Sequence, residues 1–148
     1  MHPHRSLLGA LSLSCLLAAS STLASPGSPA PIVVGEVTVG ELDRSTLGLF
    51  RALVEREIGH LELDQGPRPQ GYVFSASLVR LDARATHGGS HASCVVAGAL
   101  RRAGSGAIVA LMHGSGSVDG DRGSLTAIRE RALEVAVHGA VRRVPEAL

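Results

Sequence analysis

The sequence has no lysine, no asparagine and no tryptophan, and its positive charge is carried by 14 arginines alongside seven histidines. Without lysine there can be no phosphate-gripping Walker loop and no Schiff base. Lysine and asparagine both use A-rich codons, so their joint absence points to a GC-rich bacterial genome. Aromatic side chains are nearly missing too: Phe50, Tyr72 and Phe74 are the whole set. A nucleic-acid platform needs stacking rings and clustered cations. From Ser25 onward 13 arginines face 13 acids with no basic block, so nucleic acid is not an expected partner. Cysteine is equally scarce. Cys15 falls in a leader segment, which leaves Cys94 without an intramolecular disulfide partner. Cys94 precedes Val95 and Val96 in an apolar run, where a lone thiol is expected to be buried.

What is present at the start of the chain reads as a secretory signal. Met1 to Ser6 is polar and carries Arg5, and Leu7 to Ala19 is almost wholly apolar. Thr22 and Ala24 supply the small residues that a signal peptidase inspects. The apolar run has the length of a signal core and is too short to span a bilayer. Residues 1–24 are therefore expected to be a signal peptide cleaved after Ala24, giving a periplasmic or extracellular protein with no integral membrane segment once the signal is removed. Lipidation of Cys15 is the alternative, with Ser12 and Ser14 in the lipobox positions that call for an apolar and a small residue. Removing residues 1–24 of 148 leaves 124, which suits one domain. A chain of that length buries enough surface to fold without a disulfide or metal scaffold. Residues 25–31, with three prolines and a glycine, read as a short disordered leader, and 32–148 as a single domain.

Within that domain the patterning alternates between strand and helix. Ile32 to Val39 (IVVGEVTV) is rich in β-branched residues and is bounded by Pro31 and Gly40, which predicts a strand. Asp43 or Ser45 can cap a following helix. On that helix Leu47, Phe50, Val54, Ile58 and Leu61 recur at steps of three and four, and Gly59 helps to end it. Residues 65–70, with Gly66, Pro67 and Pro69, form a loop. Gly71 to Asp82 reads as a second strand, with Tyr72, Phe74, Ala76 and Leu78 on one side and Val73, Ser75, Ser77 and Val79 on the other. His91 to Arg101 and Ala107 to His113 are two more strands, with an end at Val118 as the alternative for the last, joined by turns at 84–90 and 103–106. A final helix is predicted from about Leu125 to Arg143, stopped by Pro145. Its polar stripe is Glu130, Glu134, His138 and Arg142, and its apolar stripe is Leu125, Ile128, Ala132, Val135 and Ala136. The order β-α-β-β-β-α predicts an α+β two-layer sandwich. A four-stranded sheet would hold its first strand parallel to a strand of the meander, with two helices on one face.

Three constellations could carry chemistry. His87, His91 and Cys94 are ligand types for zinc or copper within eight residues. His91 and Cys94 are three apart in a strand, however, so they should point to opposite faces, and a fourth ligand would have to come from His60, His113 or elsewhere. The competing reading is a glycine-rich hairpin tip with solvent histidines and a core cysteine. Gly114 to Gly120 (GSGSVDG) lies between a strand and a helix, but its glycine spacing misses the dinucleotide fingerprint by one and no strand follows the helix. It reads as a flexible strand exit leading to the helix. His113 and Asp119, with Ser115 and Ser117 between them, are the remaining hydrolase candidate, without a G-x-S-x-G elbow. Asp119 and Asp121 could meet calcium, though the spacing of an EF-hand loop is absent. No catalytic residue is assigned and no cofactor is expected.

The strand YVFSASLVRLDAR, the run SCVVAGALRRAGSGAIVALMHGSGSV and the closing AVRRVPEAL resemble small envelope domains of Gram-negative bacteria, those related to the curli-secretion lipoprotein and the penicillin-binding-protein activators. The resemblance covers residues 32–148. It implies a meander joined by a short glycine-containing turn with a terminal helix packed back on the sheet, and it brings no catalytic residue with it. Taken together, the sequence predicts an exported non-catalytic accessory or assembly domain with protein partners in the cell envelope. The alternatives are a small metal-binding protein using His87, His91 and Cys94, or a hydrolase around His113 and Asp119.

Overall fold

A computed structural model describes residues 32–40, 44–63, 71–121 and 124–148. The expected signal peptide, the leader, the cap at Asp43 and the loop at 65–70 lie outside the described residues. Strands β1 (Ile32–Val39), β2 (Tyr72–Ala85), β3 (Ser90–Arg102) and β4 (Ile108–Gly120) and helices α1 (Arg44–Gly59) and α2 (Leu125–Val141) follow the expected order. A 3₁₀ turn, Pro145–Ala147, ends the chain.

The sheet runs β1-β2-β3-β4, with β1 parallel to β2 and both remaining pairs antiparallel. The parallel pair is joined through α1, the crossover that parallel strands require. The two hairpins close in short turns. Thr86 donates its amide to the Gly89 carbonyl in the first, and Gly106 takes a φ of +68° in the second, a conformation that glycine adopts at little cost.

Both helices lie on one face of the sheet, and the core forms between the layers. Phe74, Ala76, Leu78, Ala92, Cys94, Val96, Leu100 and Met112 alternate onto that face from the strands. Phe50, Leu53, Val54 and Ile58 meet them from α1, and Ala132, Leu133, Ala136, Val137, Ala140 and Val141 from α2. Gly98 leaves room for the Phe74 ring, whose Cζ would sit 2.6 Å from a Cβ placed there. Val144 is fully buried beyond the end of α2, so the carboxyl-terminal segment belongs to the core.

Three local expectations are corrected. First, β4 continues to Gly120, so Gly114–Gly120 is strand and not a flexible exit. Second, β2 continues to Ala85, and a bulge between Leu78 and Arg80 reverses its alternation: Leu81 and Ala83 turn to the core while Arg80, Asp82 and Arg84 turn out. Third, α2 is rotated from the expected setting. Leu133, Val137 and Val141 are buried, whereas Leu125 and Val135 are 42% and 41% exposed.

The rotation of α2 follows from how closely it approaches β4. A Cβ at Gly114 would strike the Ala136 carbonyl oxygen, and one at Gly116 would strike that of Ala132. The small-residue track of β4 thus receives the backbone of α2 along Ala132, Ala136 and Ala140. The larger side chains Leu133, Val137 and Val141 fill the space toward α1.

Candidate functional site

The face of the sheet opposite the helices is uncovered among the described residues, and the pairing registers set its side chains in rows. Arg84, His91 and Asp119 form one row across β2, β3 and β4, and Asp82, Ser93 and Ser117 form the next. Arg80 stands opposite Val95 and Ser115, and Ser77 opposite Ala97 and His113. The β2 bulge creates the first three of these rows. Uniform alternation from Phe74 would have turned Arg80, Asp82 and Arg84 into the core.

In the first of these rows His91 Nδ1 lies 2.8 Å from Asp119 Oδ1. A carboxylate only accepts, so Nδ1 is the donor and the second ring nitrogen is presented away from Asp119. The His91 side chain is 29% exposed and Asp119 84% exposed. The pair therefore fixes the ring's orientation more than it stabilises the fold. Arg80 Nε approaches Asp82 Oδ2 at 3.3 Å, and Arg84 forms no ion pair among the described residues. Arg80, Asp82, Arg84 and His91, with Ala83 and Ser93, line a shallow depression of about 410 Å³. A second depression, of about 270 Å³, lies further along the same face between Glu36, Thr38, Ser77, Ala97, Arg101 and Leu111. There Thr38 and Ser77 share a hydrogen bond of 2.8 Å between β1 and β2.

The structure separates the residues of the metal reading. Cys94 is on the core face at 1% exposure, His91 is on the open face, and His87 is at the exposed hairpin tip. Burial pushes the Cys94 thiol up to about 12, which keeps it protonated and poorly nucleophilic. No group of three or more His, Cys, Asp or Glu that could hold a metal occurs among the described residues. His113 and Asp119 share the open face of β4 but are six residues apart, about 20 Å along a strand. Asp119 engages His91 instead. No hydroxyl among the described residues is bonded to His91, so the arrangement offers an oriented imidazole on a broad polar surface.

Sequence reasoning did not single out Arg80, Asp82 and Arg84. Their signal was present in the period-two alternation Arg80-Leu81-Asp82-Ala83-Arg84, in which charge and apolar residues exchange places as on a half-buried strand. The His91–Asp119 contact carried no such signal, because it depends on the β3–β4 register.

On the helix layer, Arg56, Glu57, Glu134 and His138 clasp α1 to α2. Arg56 Nη2 donates to Glu134 at 2.8 Å and to Glu57 at 3.2 Å, and His138 Nδ1 bonds Glu57 Oε2 at 2.9 Å. Partial burial raises the Glu57 carboxyl's affinity for a proton, but the bonds from His138 and Arg56 together outweigh it, and its pKa is lowered.

No family model and no curated protein matches the chain. Solved structures are similar to it to differing degrees. A Xanthomonas campestris protein of the DUF330 family superposes with a TM-score of 0.61 at 12% identity, over 84% of this chain and 89% of that one. A minor lipoprotein from Acinetobacter baumannii gives 0.42 at 7% identity, over 80% and 94%. The PelC dodecamer subunit from Paraburkholderia phytofirmans gives 0.42 at 15% identity, over 75% and 89%. The expected resemblance to small domains of Gram-negative bacteria holds at the level of fold, through the DUF330 protein. No helix among the described residues is long and apolar enough to cross a membrane.

Proposed function

We propose that this chain is an exported, non-catalytic accessory domain of the bacterial envelope that acts by binding protein through the open face of its sheet. One observation carries the reading: a whole face of a four-stranded sheet is left uncovered by the helices, and it mixes ordered polar rows with exposed apolar side chains. Val79 is 63% exposed beside Arg80, and Leu111 is 68% exposed across from Ala99. Such a face is broad, shallow and partly apolar, which suits a protein partner better than a small molecule that needs an enclosing pocket. The signal-like residues 1–24 support export, and the fold shared with the Xanthomonas DUF330 protein is compatible with a bacterial accessory domain.

The test is affinity capture from envelope extract with the mature protein as bait. Wild type should enrich one partner reproducibly, and Arg80→Glu with Arg84→Glu should lose it while keeping the wild-type melting temperature. Capture that is unchanged by the double variant, or no enrichment over a bait-free control, would overturn the reading.

A further inference from the structure

The two edges of the sheet differ in how they are guarded. Edge β1 has eight residues, is interrupted by an irregularity between Val34 and Val37, and carries Glu36. These features discourage pairing with a further strand. Edge β4 has 13 residues, no proline and no acidic, arginine or lysine side chain from Ile108 to Val118. Its outward backbone groups are unpaired among the described residues.

The exposed apolar side chains gather at this same edge. Among the described residues six large hydrophobic side chains are exposed: Val33, Val79, Ile108, Leu111, Leu125 and Val135. Four of them flank β4, and they sit in both layers. Ile108 and Leu111 are on the strand, and Leu125 and Val135 are on α2, which lies over it. Gly139 is packed against the Gly114 backbone, so the outer flank of α2 is low there. We infer that this edge is a self-association surface, and that a second copy of this chain pairs its β4 antiparallel to the first while the two α2 helices pack side by side.

A second copy is favoured over a single extended peptide because the uncovered apolar groups span two layers. A peptide strand would satisfy the β4 backbone yet leave Leu125 and Val135 in water. A two-fold partner continues both sheet and helix layer, and the same patch serves on each copy. The edge is roughly 40 Å long and the two layers roughly 20 Å high, about 800 Å² per copy, which matches a stable dimer interface. Like charge opposes the contact: Arg131 and Arg142 border the stripe, and Arg131 is offset by Glu134 at 3.6 Å.

Light scattering on the mature protein after size exclusion reads this directly. Twice the protomer mass is expected. Leu111→Lys with Val135→Arg changes two exposed side chains and should weaken the dimer about a hundredfold without altering the circular dichroism spectrum. Val79→Lys, on the open face away from this edge, should leave the dimer intact. A wild-type protein that stays monomeric up to about 1 mM, a dimer that survives the double substitution, or one that Val79→Lys dissociates would each overturn the inference.

Discussion

Gly114 of β4 lies directly beneath Ala136 of α2, close enough that any side chain at 114 would occupy the position of the Ala136 carbonyl oxygen. The obstacle is backbone, which cannot rotate aside as a side chain can. Gly114→Ala should therefore cost about 3 kcal/mol or more, and Gly116→Ala about as much. Gly48 is on the exposed side of α1 with nothing within 4 Å of a would-be Cβ. There, Gly48→Ala should stabilise by roughly 0.5–1 kcal/mol. Chemical denaturation of the three variants checks both signs.

The setting of α2 makes a second contrast. Leu133 is 1% exposed and Val135 41% exposed, two residues apart on one helix. Leu133→Ala should cost about 2–5 kcal/mol, and Val135→Ala within about 0.5 kcal/mol. Deleting residues 125–148 should abolish the cooperative melt, because that segment supplies seven buried hydrophobic residues. Equal effects at 133 and 135 would contradict the rotation described for this helix.

Much of this architecture is legible in the sequence, and the losses have identifiable causes. Ile32–Val39 and the β2–β3–β4 meander are visible because β-branched and alternating apolar residues fit a half-buried strand. The extension of β4, which the sequence offers as an option as far as Val118, is only weakly written because Gly114 and Gly116 have poor strand propensity of their own; a helix backbone occupies the space above them. The rotation of α2 is hidden for a related reason. Its short Ala132, Ala136 and Ala140 make the closest approach while Leu133, Val137 and Val141 form a second apolar stripe, so periodicity alone does not choose the buried face. The β2 bulge changes which of Val79, Arg80 and Leu81 faces inward, and an extra residue in one strand shows only against its partner. The clasp between Glu57 and His138 joins residues 81 positions apart and needs both helices in place.

That clasp gives the molecule an acid sensitivity. Hydrogen bonds from His138 and Arg56 lower the Glu57 pKa against an opposing contribution from burial. A lowered carboxylate pKa adds stability above its unfolded value, near 4.3, and that stability is lost as pH falls through the folded value. Glu57→Gln should cost about 1–2 kcal/mol at pH 7 and little at pH 3. Urea melts of both proteins across that range would show the difference closing toward acid. A constant difference would mean that the charge of Glu57 is irrelevant to the clasp.

Cys94 should behave as a core residue. With its thiol raised to about 12 by burial, native labelling should be slow and should accelerate in denaturant. The same shift implies a loss of stability as pH rises from the ordinary thiol value toward 12, because only the unfolded thiol ionises in that window. Rapid native labelling at pH 8 would show that β3 opens or that the thiol is accessible.

Photo-crosslinking from the open face tests the central claim most directly. A photoreactive residue at Ser77 or at Ser93 sits on the uncovered side of the sheet, and one at Gly48 sits on the helix side. Irradiation of cells of the native host should give a discrete adduct with one envelope protein other than this chain from Ser77 and Ser93, and no such adduct from Gly48. No adduct from the sheet positions, or the same adducts from Gly48, would contradict the assignment of the open face as the binding surface.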